Sequence, residues 1–399
     1  DLCTCATPEQ VQAVFHDHRL VLAGEKHGTV GVITDGGVIE ITTFRTEGGY
    51  EDNRHPQWVE FVDHIEGDLA RRDFTVNAMA YSPTRGFADP FGGREDLQHK
   101  LLRAVGEAET RFEEDALRIL RGVRFAVRFG FAVEKATLQA MFDLKEKMDN
   151  LAVERVFSEL CKLLPLLKAE DLLLFHPVLT HIIPELAPCV GFCQHNPHHA
   201  YDVFTHTAYV VENTPNDLAI RWAALLHDTG KPVVFTQDEN GRGHFYSHAQ
   251  ESAKLADQVL RRLKAPTALR EEVVSLVAHH MDLWEANEKL LRRQMRKHGT
   301  THCQKLLALQ KADYLSKGIP GAGAHPELDE IAHMIEKIEE ENACLHLSDL
   351  EVKGKDLIEL GFEAGPRLGQ ALEHLLDLVV DGELPNERTI LLEKANELF

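Results

Sequence analysis

Three groups of residues have types and spacings able to do chemistry. The first is Arg71-Arg72-Asp73-Phe74-Thr75-Val76-Asn77, where helical spacing sets Asp73 and Asn77 one turn apart while Val76, Met79 and Ala80 turn elsewhere. A guanidinium from Arg72, a carboxylate and an amide together suit a polar ligand such as a ribose with its phosphates. The same residues also describe a helix start carrying a surface Arg–Asp pair. The second group is Glu114-Asp115-Ala116-Leu117-Arg118, which reads as one helix with Asp115 and Arg118 close on one face. A carboxylate acceptor beside a guanidinium donor complements the pairing edges of cytosine and adenine, which offer an amino donor next to a ring-nitrogen acceptor. Uracil and guanine offer the reverse and would leave buried groups unmatched. Against this stands an ordinary Glu114–Arg118 surface pair, worth only about 0.3–0.5 kcal/mol. The third group is the ordered series His206, His227-Asp228, His248, His280 and Asp313. Imidazoles and carboxylates are the ligands with which hydrolytic sites hold one or two divalent metals and activate water. A purely structural use of the same residues is the alternative.

The elements that must position these groups fall into two kinds. From Leu20 to Phe44 apolar and polar residues alternate around glycines, HGTVGVITDGGVIEITTF, which predicts two or three strands joined by tight turns. EGDLARRDFTVNAMA carries helical spacing, and from Glu107 onward nearly everything is helix-like, with a His-rich break at Gln194–Asp202 and PNER ahead of a last helix. At 399 residues two or more packed units are expected. Seven cysteines without CxxC spacing read as reduced thiols rather than a disulfide framework or a Cys189/Cys193/His195 metal site. No apolar run approaches a membrane span, so no membrane partner and a cytoplasmic location are expected. The net charge of −21 excludes indiscriminate nucleic-acid binding and requires a local basic surface for any such partner. Arg71-Arg72, Arg118/Arg121/Arg124/Arg128, Arg261-Arg262 and Arg292-Arg293-Gln294-Met295-Arg296-Lys297 are the candidates.

The literal strings add a resemblance. RRDFTVNAMA, then DPFGGREDLQHKLLRAVG (Asp89–Gly106), then RFEEDALRILRGVRFAVRFGF (Arg111–Phe131) resemble, in order and spacing, the head and neck motifs of class II tRNA nucleotidyltransferases and the related bacterial poly(A) polymerases. KHGTVGVI and EITTFRTEGGY look like that family's head strands, and QHNPHHAYDVFTHT and DGELPNERTILLEKANEL are similar to its HD-bearing bacterial members. The likeness spans Asp1 to Phe399. It implies an α+β protein: a small nucleotidyltransferase-type mixed-sheet head, incomplete at its start, ahead of a mostly helical remainder. The implied division is a head over 1–102, a nucleotide-selecting and tRNA-binding neck over 103–165, body helices over 166–200, an HD domain over 201–320 and a helical tail over 321–399.

The implied function is addition of C, C and A to the tRNA 3′ end from CTP and ATP without a nucleic-acid template, by a two-metal mechanism. Mg²⁺ would be held by Asp1 and Glu40 together with an aspartate that lies, with a Gly-Gly element, ahead of Asp1; on that expectation the chain as written binds nucleotide weakly and is unable to catalyse transfer. Arg72, Asp73 and Asn77 would hold ribose and phosphates, and Asp115 and Arg118 would select the base. Arg121, Arg124 and Arg155 would support the nucleotide or the neck, with Arg124 turned about 60° further per step toward tRNA phosphates or a neck salt bridge. His206, His227, Asp228 and Asp313 match the HD phosphohydrolase core and would hold a second, transition-type metal, with His248 and His280 as further ligands. His195, His198 and His199 read as turn and surface residues. CC-only or A-only addition, poly(A) synthesis, a chain acting chiefly as an HD phosphohydrolase and a non-catalytic tRNA-binding remnant are the alternatives, and the resemblance leaves the oligomeric state open.

Overall fold

The computed structural model describes residues 2–50, 56–197, 199–282, 284–318, 325–341 and 343–398. Asp1, His198 and residues 51–55 lie outside them. β1 (Leu2–Thr4), β2 (Leu20–Val21), β3 (Thr29–Thr34) and β4 (Gly37–Thr43) form a sheet in the order β1-β4-β3-β2. β1 runs parallel to β4, with Leu2 opposite Ile41, while β3 is antiparallel to both β2 and β4, so the sheet is mixed. Strand alternation sends Val30, Val32 and Ile41 to one face, where they pack with Val11 of the helix Pro8–Val14.

Beyond this sheet the chain departs from the expected continuous helix. The helix Ile65–Ala70 stops, Phe74 is extended, a single 3-10 turn covers Thr75–Asn77, and a strand follows at Ala80–Ser82. Two contacts account for the break. The Asp73 carboxylate accepts from its neighbour's Phe74 N–H at 2.9 Å, a local side-chain bond that competes with helix formation. The helix Gly93–His99 also presses on the turn so closely that a Cβ at Gly93 would lie 2.1 Å from the Thr75 carbonyl oxygen, an approach only glycine allows. Asp96 of the same helix, fully buried, accepts from Thr75 Oγ1 at 2.6 Å and is clamped by Arg103.

A second break falls inside the stretch read as one helix from Glu114 to Arg121. The helix Ala108–Glu114 ends, Asp115 is extended at φ −141°, ψ 99°, and a new helix runs Leu117–Phe129. Asp115 Oδ1 accepts from Leu117 N–H at 3.0 Å at the start of that helix. Ile119, Leu120 and Val123 are buried, and a buried Arg124–Glu159 pair at 2.6 Å ties the helix to Val153–Leu163. Burial opposes ionisation of Glu159, but the Arg124 and Lys162 contacts outweigh it and hold the carboxyl below the usual range.

Residues 1–187 with 262–264 make one unit and residues 188–261 with 265–399 another. The second is helical apart from a short hairpin, Thr236–Gln237 with Gly243–His244. One of its apolar clusters joins Leu291, Met295 and Leu307 to Ile331 and Ile335; another joins Leu357, Leu375, Leu376 and Leu391. No helix among the described residues is long and apolar enough to cross a membrane.

The basic run on the helix Glu288–His298 is not a free surface for nucleic acid. Arg293 makes a two-pronged contact with Asp381 at 2.7 Å, Arg296 pairs with Glu373 and Asp377, and Arg292 with Glu288 and Glu341. The run fastens the helix Pro366–Val380. Reversing Arg293 and Arg296 together to glutamate is therefore expected to lower the thermal midpoint of the helical unit, because like charges would face each other across the pair, and to leave tRNA affinity of the folded protein unchanged. Weakened tRNA binding with an unaltered midpoint would return this face to nucleic acid.

Candidate functional site

A cleft of about 530 Å³ in the first unit gathers Arg72, Asp73, Asn77, Asp115, Arg118 and Arg121, with Arg155 beside them. Asp73 organises one side. Its Oδ1 accepts from Phe74 N–H at 2.9 Å and Asn77 Nδ2 at 3.2 Å, and its Oδ2 from Nε and Nη2 of Arg121 at 3.0 and 2.7 Å. Four bonds exhaust a carboxylate's lone pairs, and Asp73 is only 7% exposed. Asp73, for which a ribose contact was expected, lines the cleft and fixes Asn77 and Arg121, whose remaining donors are open to a ligand. Asp68, which the sequence did not single out, does the same for Arg71 and Arg72, contacting them at 2.7 and 3.3 Å from a buried position. Its only signal in sequence was an acid three and four residues ahead of two arginines.

Asp115 and Arg118 do meet in the cleft, brought there by the break between two helices rather than by spacing along one. Arg118 is nearly buried and donates from Nη1 to Arg111 O at 3.1 Å and Glu114 Oε2 at 2.7 Å, and from Nη2 to Arg71 O at 2.8 Å. Of its five donor hydrogens, Nε–H and one on Nη2 remain. Asp115 Oδ2 accepts from Arg155 Nη2 at 3.2 Å. Arg124, placed by sequence with the nucleotide ligands, is buried against Glu159 and is not part of the cleft wall. Glu40 is exposed on β4 beside Ile41, the partner of Leu2; Asp1, its expected companion, lies outside the described residues.

The histidine series converges in the second unit. His206 comes from the helix Val203–Asn213, His227 and Asp228 from the end of Leu218–Leu226, His248 from the first turn of His248–Arg262, His280 from the end of Thr267–His279, and Asp313 from Thr300–Leu315. Each imidazole faces a backbone carbonyl through Nδ1: His227 to Ala224 at 2.8 Å, His248 to Phe245 at 2.8 Å, His280 to Val277 at 2.7 Å and His206 to Ser316 at 3.1 Å. A carbonyl only accepts, so each Nδ1 carries a proton, which leaves the Nε2 lone pairs of His227, His248 and His280 for a ligand, while His206 Nε2 makes a hydrogen bond with the Asp313 carboxylate. All four Nε2 atoms point at Asp228, at 3.6, 3.2, 3.4 and 3.9 Å for His206, His227, His248 and His280. His206 Nε2 is also 2.8 Å from Asp313.

Among the described residues, Nε2 of His227, His248 and His280 and Oδ1 of Asp228 are buried without a hydrogen-bond partner, while Asp228 Oδ2 meets the Lys231 ammonium. Such orphaned groups are costly unless something occupies the space between them, and two subsets, His206/His227/Asp228 and Asp228/His248/His280, have ligand atoms close enough to share an ion. The donor set thus fits one or two divalent metals of the imidazole-binding type. Burial drives the His280 ring down to about 3, a neutral ligand form, and lowers His248 too. At His227 burial is outweighed by Asp228, which raises the ring, while His227 and Lys231 overcome burial to hold Asp228 far below the carboxylate range.

Sequence spacing missed Lys231, whose buried ammonium lies 2.7 Å from Asp228 and bonds to Gln194 at 2.8 Å. It also placed His199 on the surface, whereas that ring is half-buried and stands 5.2 Å from His206. Cys189 is buried, with its thiol pushed up to about 12 by burial, and Cys193 is exposed.

Comparison with known proteins follows the same division. Residues 1–103 match the poly A polymerase head domain, 130–189 a probable RNA and SrmB-binding site of polymerase A, and 236–395 a putative tRNA nucleotidyltransferase domain 2. The chain is 34% identical over 400 residues to a CCA-adding enzyme of Geobacillus stearothermophilus, covering 97% of this chain and 85% of the relative. It is 34% identical over 394 residues to one from Streptococcus pyogenes serotype M4, covering 98% and 86%. Among solved structures it is similar to the Bacillus stearothermophilus CCA-adding enzyme in complex with CTP, at 28% identity and a TM-score of 0.70 over 99% of this chain and 87% of that one. The fold is shared with the Thermotoga maritima CCA-adding enzyme complexed with tRNA, at 22% identity and a TM-score of 0.54 over 97% and 83%.

Proposed function

The chain belongs to the family of CCA-adding enzymes, tRNA nucleotidyltransferases that extend the tRNA 3′ end with C, C and A without a nucleic-acid template, and from that premise we propose how its residues divide the work. The observation that carries the reading is the single cleft that unites Asp115 and Arg118 with Asn77, Arg72 and Arg121. CTP or ATP enters with its base toward Asp115 and Arg118. Asp115 accepts the exocyclic amino hydrogen and Arg118 donates to the ring nitrogen, so each matched base satisfies both groups and a mismatched one strands them. Asn77 and Arg121, oriented by Asp73, and Arg72, oriented by Asp68, take ribose and phosphate oxygens. Mg²⁺ at Asp1 and Glu40, when bound, would neutralise the triphosphate and favour the attacking 3′-hydroxylate. The boundaries 1–102, 103–165, 166–200, 201–320 and 321–399 and a cytoplasmic site of action complete the reading.

His206, His227, Asp228 and Asp313 would hold a transition metal, with His248 and His280 binding a second around the same aspartate. Such a metal would activate water for phosphoester hydrolysis. What supports this is the set of orphaned Nε2 and carboxylate atoms around Asp228.

The base-reading assignment is tested by Asp115→Ala and Arg118→Ala. Either is expected to raise the use of UTP and GTP relative to CTP and ATP by roughly 10- to 100-fold, with tRNA affinity nearly intact. Unchanged nucleotide ratios in both variants would remove the pair from base selection.

A further inference from the structure

We infer that Arg155 is a positioning residue for base choice, holding the Asp115 carboxylate in the orientation that reads the nucleobase; this rests on Asp115 being the base reader. The two members of the reading pair are held very differently. Arg118 is fixed by Arg111 O, Glu114 and Arg71 O. Asp115 stands in the extended joint between two helices, and its side chain accepts from Leu117 N–H on Oδ1 and from Arg155 Nη2 on Oδ2. The Leu117 bond alone is a single restraint on rotation of the whole carboxylate about the Cβ–Cγ axis.

Arg155 is built to prevent this. It sits in the first turn of the helix Val153–Leu163, and one turn further on Glu159 grips Arg124 of the helix Leu117–Phe129 at 2.6 Å in a buried pair. The distance from Arg155 to the joint is therefore set by a second, buried contact between the same helices. Arg155 also lines the nucleotide cleft, and its Nη1 is buried with no hydrogen-bond partner among the described residues. A carboxylate oxygen has two lone pairs, so Oδ2 can keep Arg155 and still accept the amino hydrogen of cytosine or adenine. A base and Arg155 share that oxygen rather than compete for it. Without Arg155 the carboxylate can rotate away, and uracil or guanine then no longer meets an acceptor where it needs a donor.

The test uses the full-length protein with Mg²⁺ and a tRNA ending before its CCA, in the variants Arg155→Ala, Arg155→Lys, Asp115→Ala and Asp115→Ala/Arg155→Ala. kcat and KM are measured for each of the four NTPs, and equilibrium Kd for CTP and UTP. Arg155→Ala is expected to lower the CTP-to-UTP ratio of kcat/KM by about tenfold, through KM and with a matching change in the Kd ratio. Arg155→Lys should restore much of it, and the double variant should be no less selective than Asp115→Ala. A uniform loss across all four NTPs with unchanged ratios, or a double variant that multiplies the two single effects, overturns the inference. Unchanged ratios in Asp115→Ala overturn the base-reading assignment itself, whereas unchanged ratios in Arg155→Ala alone overturn only this one. Should Arg155→Ala fail to fold, Arg155→Met keeps the apolar stem and reads the same ratios.

Discussion

Asp228→Ala is expected to abolish the metal binding proposed for the histidine cluster and to destabilise the helical unit at the same time. Asp228 is the one residue common to both ligand subsets, and four imidazole Nε2 atoms face it within 3.9 Å. Losing an outer-shell partner of a metal ligand costs about 10–100-fold in affinity, and losing the shared ligand itself must cost more. Lys231, about 6% exposed at its side chain, would also keep its charge with no carboxylate beside it. Stranding one half of a buried pair costs on the order of 3–5 kcal/mol. The variant should therefore carry no metal after dialysis, melt well below the parent, and lose any phosphoester hydrolysis. CCA addition should survive, because its ligands belong to the other unit. Parent-like metal content would contradict the cluster's assignment, and loss of both activities would mean that these histidines serve the fold or the tRNA.

Asp73→Ala should cost nucleotidyl transfer about 100-fold or more in kcat/KM, since misplacing bound groups by an ångström already costs that much. The carboxylate holds Asn77 and Arg121 in place through the bonds it accepts from them, with a third partner in Phe74 N–H. Its removal frees the Arg121 guanidinium, 36% exposed at the cleft edge, to leave the site for solvent. Because those groups are assigned to the sugar and phosphates, CTP and ATP should suffer equally and the ratio of correct to incorrect bases should hold. That pattern separates Asp73 from Asp115, whose loss changes ratios. A fall of less than about tenfold would show that Arg121 and Asn77 keep their places without it.

The convergence of the histidines was legible in sequence because these residue types are scarce and chemically committed: His206, His227-Asp228, His248, His280 and Asp313 are distinctive in order alone. The head strands were legible because a half-buried strand alternates, as Val30, Val32 and Ile41 do. Apolar periodicity, however, cannot see a helix interrupted by its own side chains. The breaks at Asp73 and Asp115 come from carboxylates accepting the N–H of Phe74 and Leu117, and Gly93 marks a close approach that only the folded chain reveals. Nor does spacing show who neutralises whom. Arg121 finds Asp73 across 48 residues, Arg155 finds Asp115 across 40, and Arg293 finds Asp381 across 88. Those pairings make Asp73 a support for Asn77 and Arg121 and join the basic run to the carboxylates of another helix.

The most direct measurement is to incubate the full-length protein and Mg²⁺ with tRNA that ends before its CCA, supplying each NTP alone and then CTP with ATP, and to sequence the 3′ ends. CTP alone should add two residues, CTP with ATP should complete C, C and A and stop, and UTP or GTP alone should add nothing. An A-tail of indefinite length from ATP, or incorporation that ignores the identity of the base, would contradict the account.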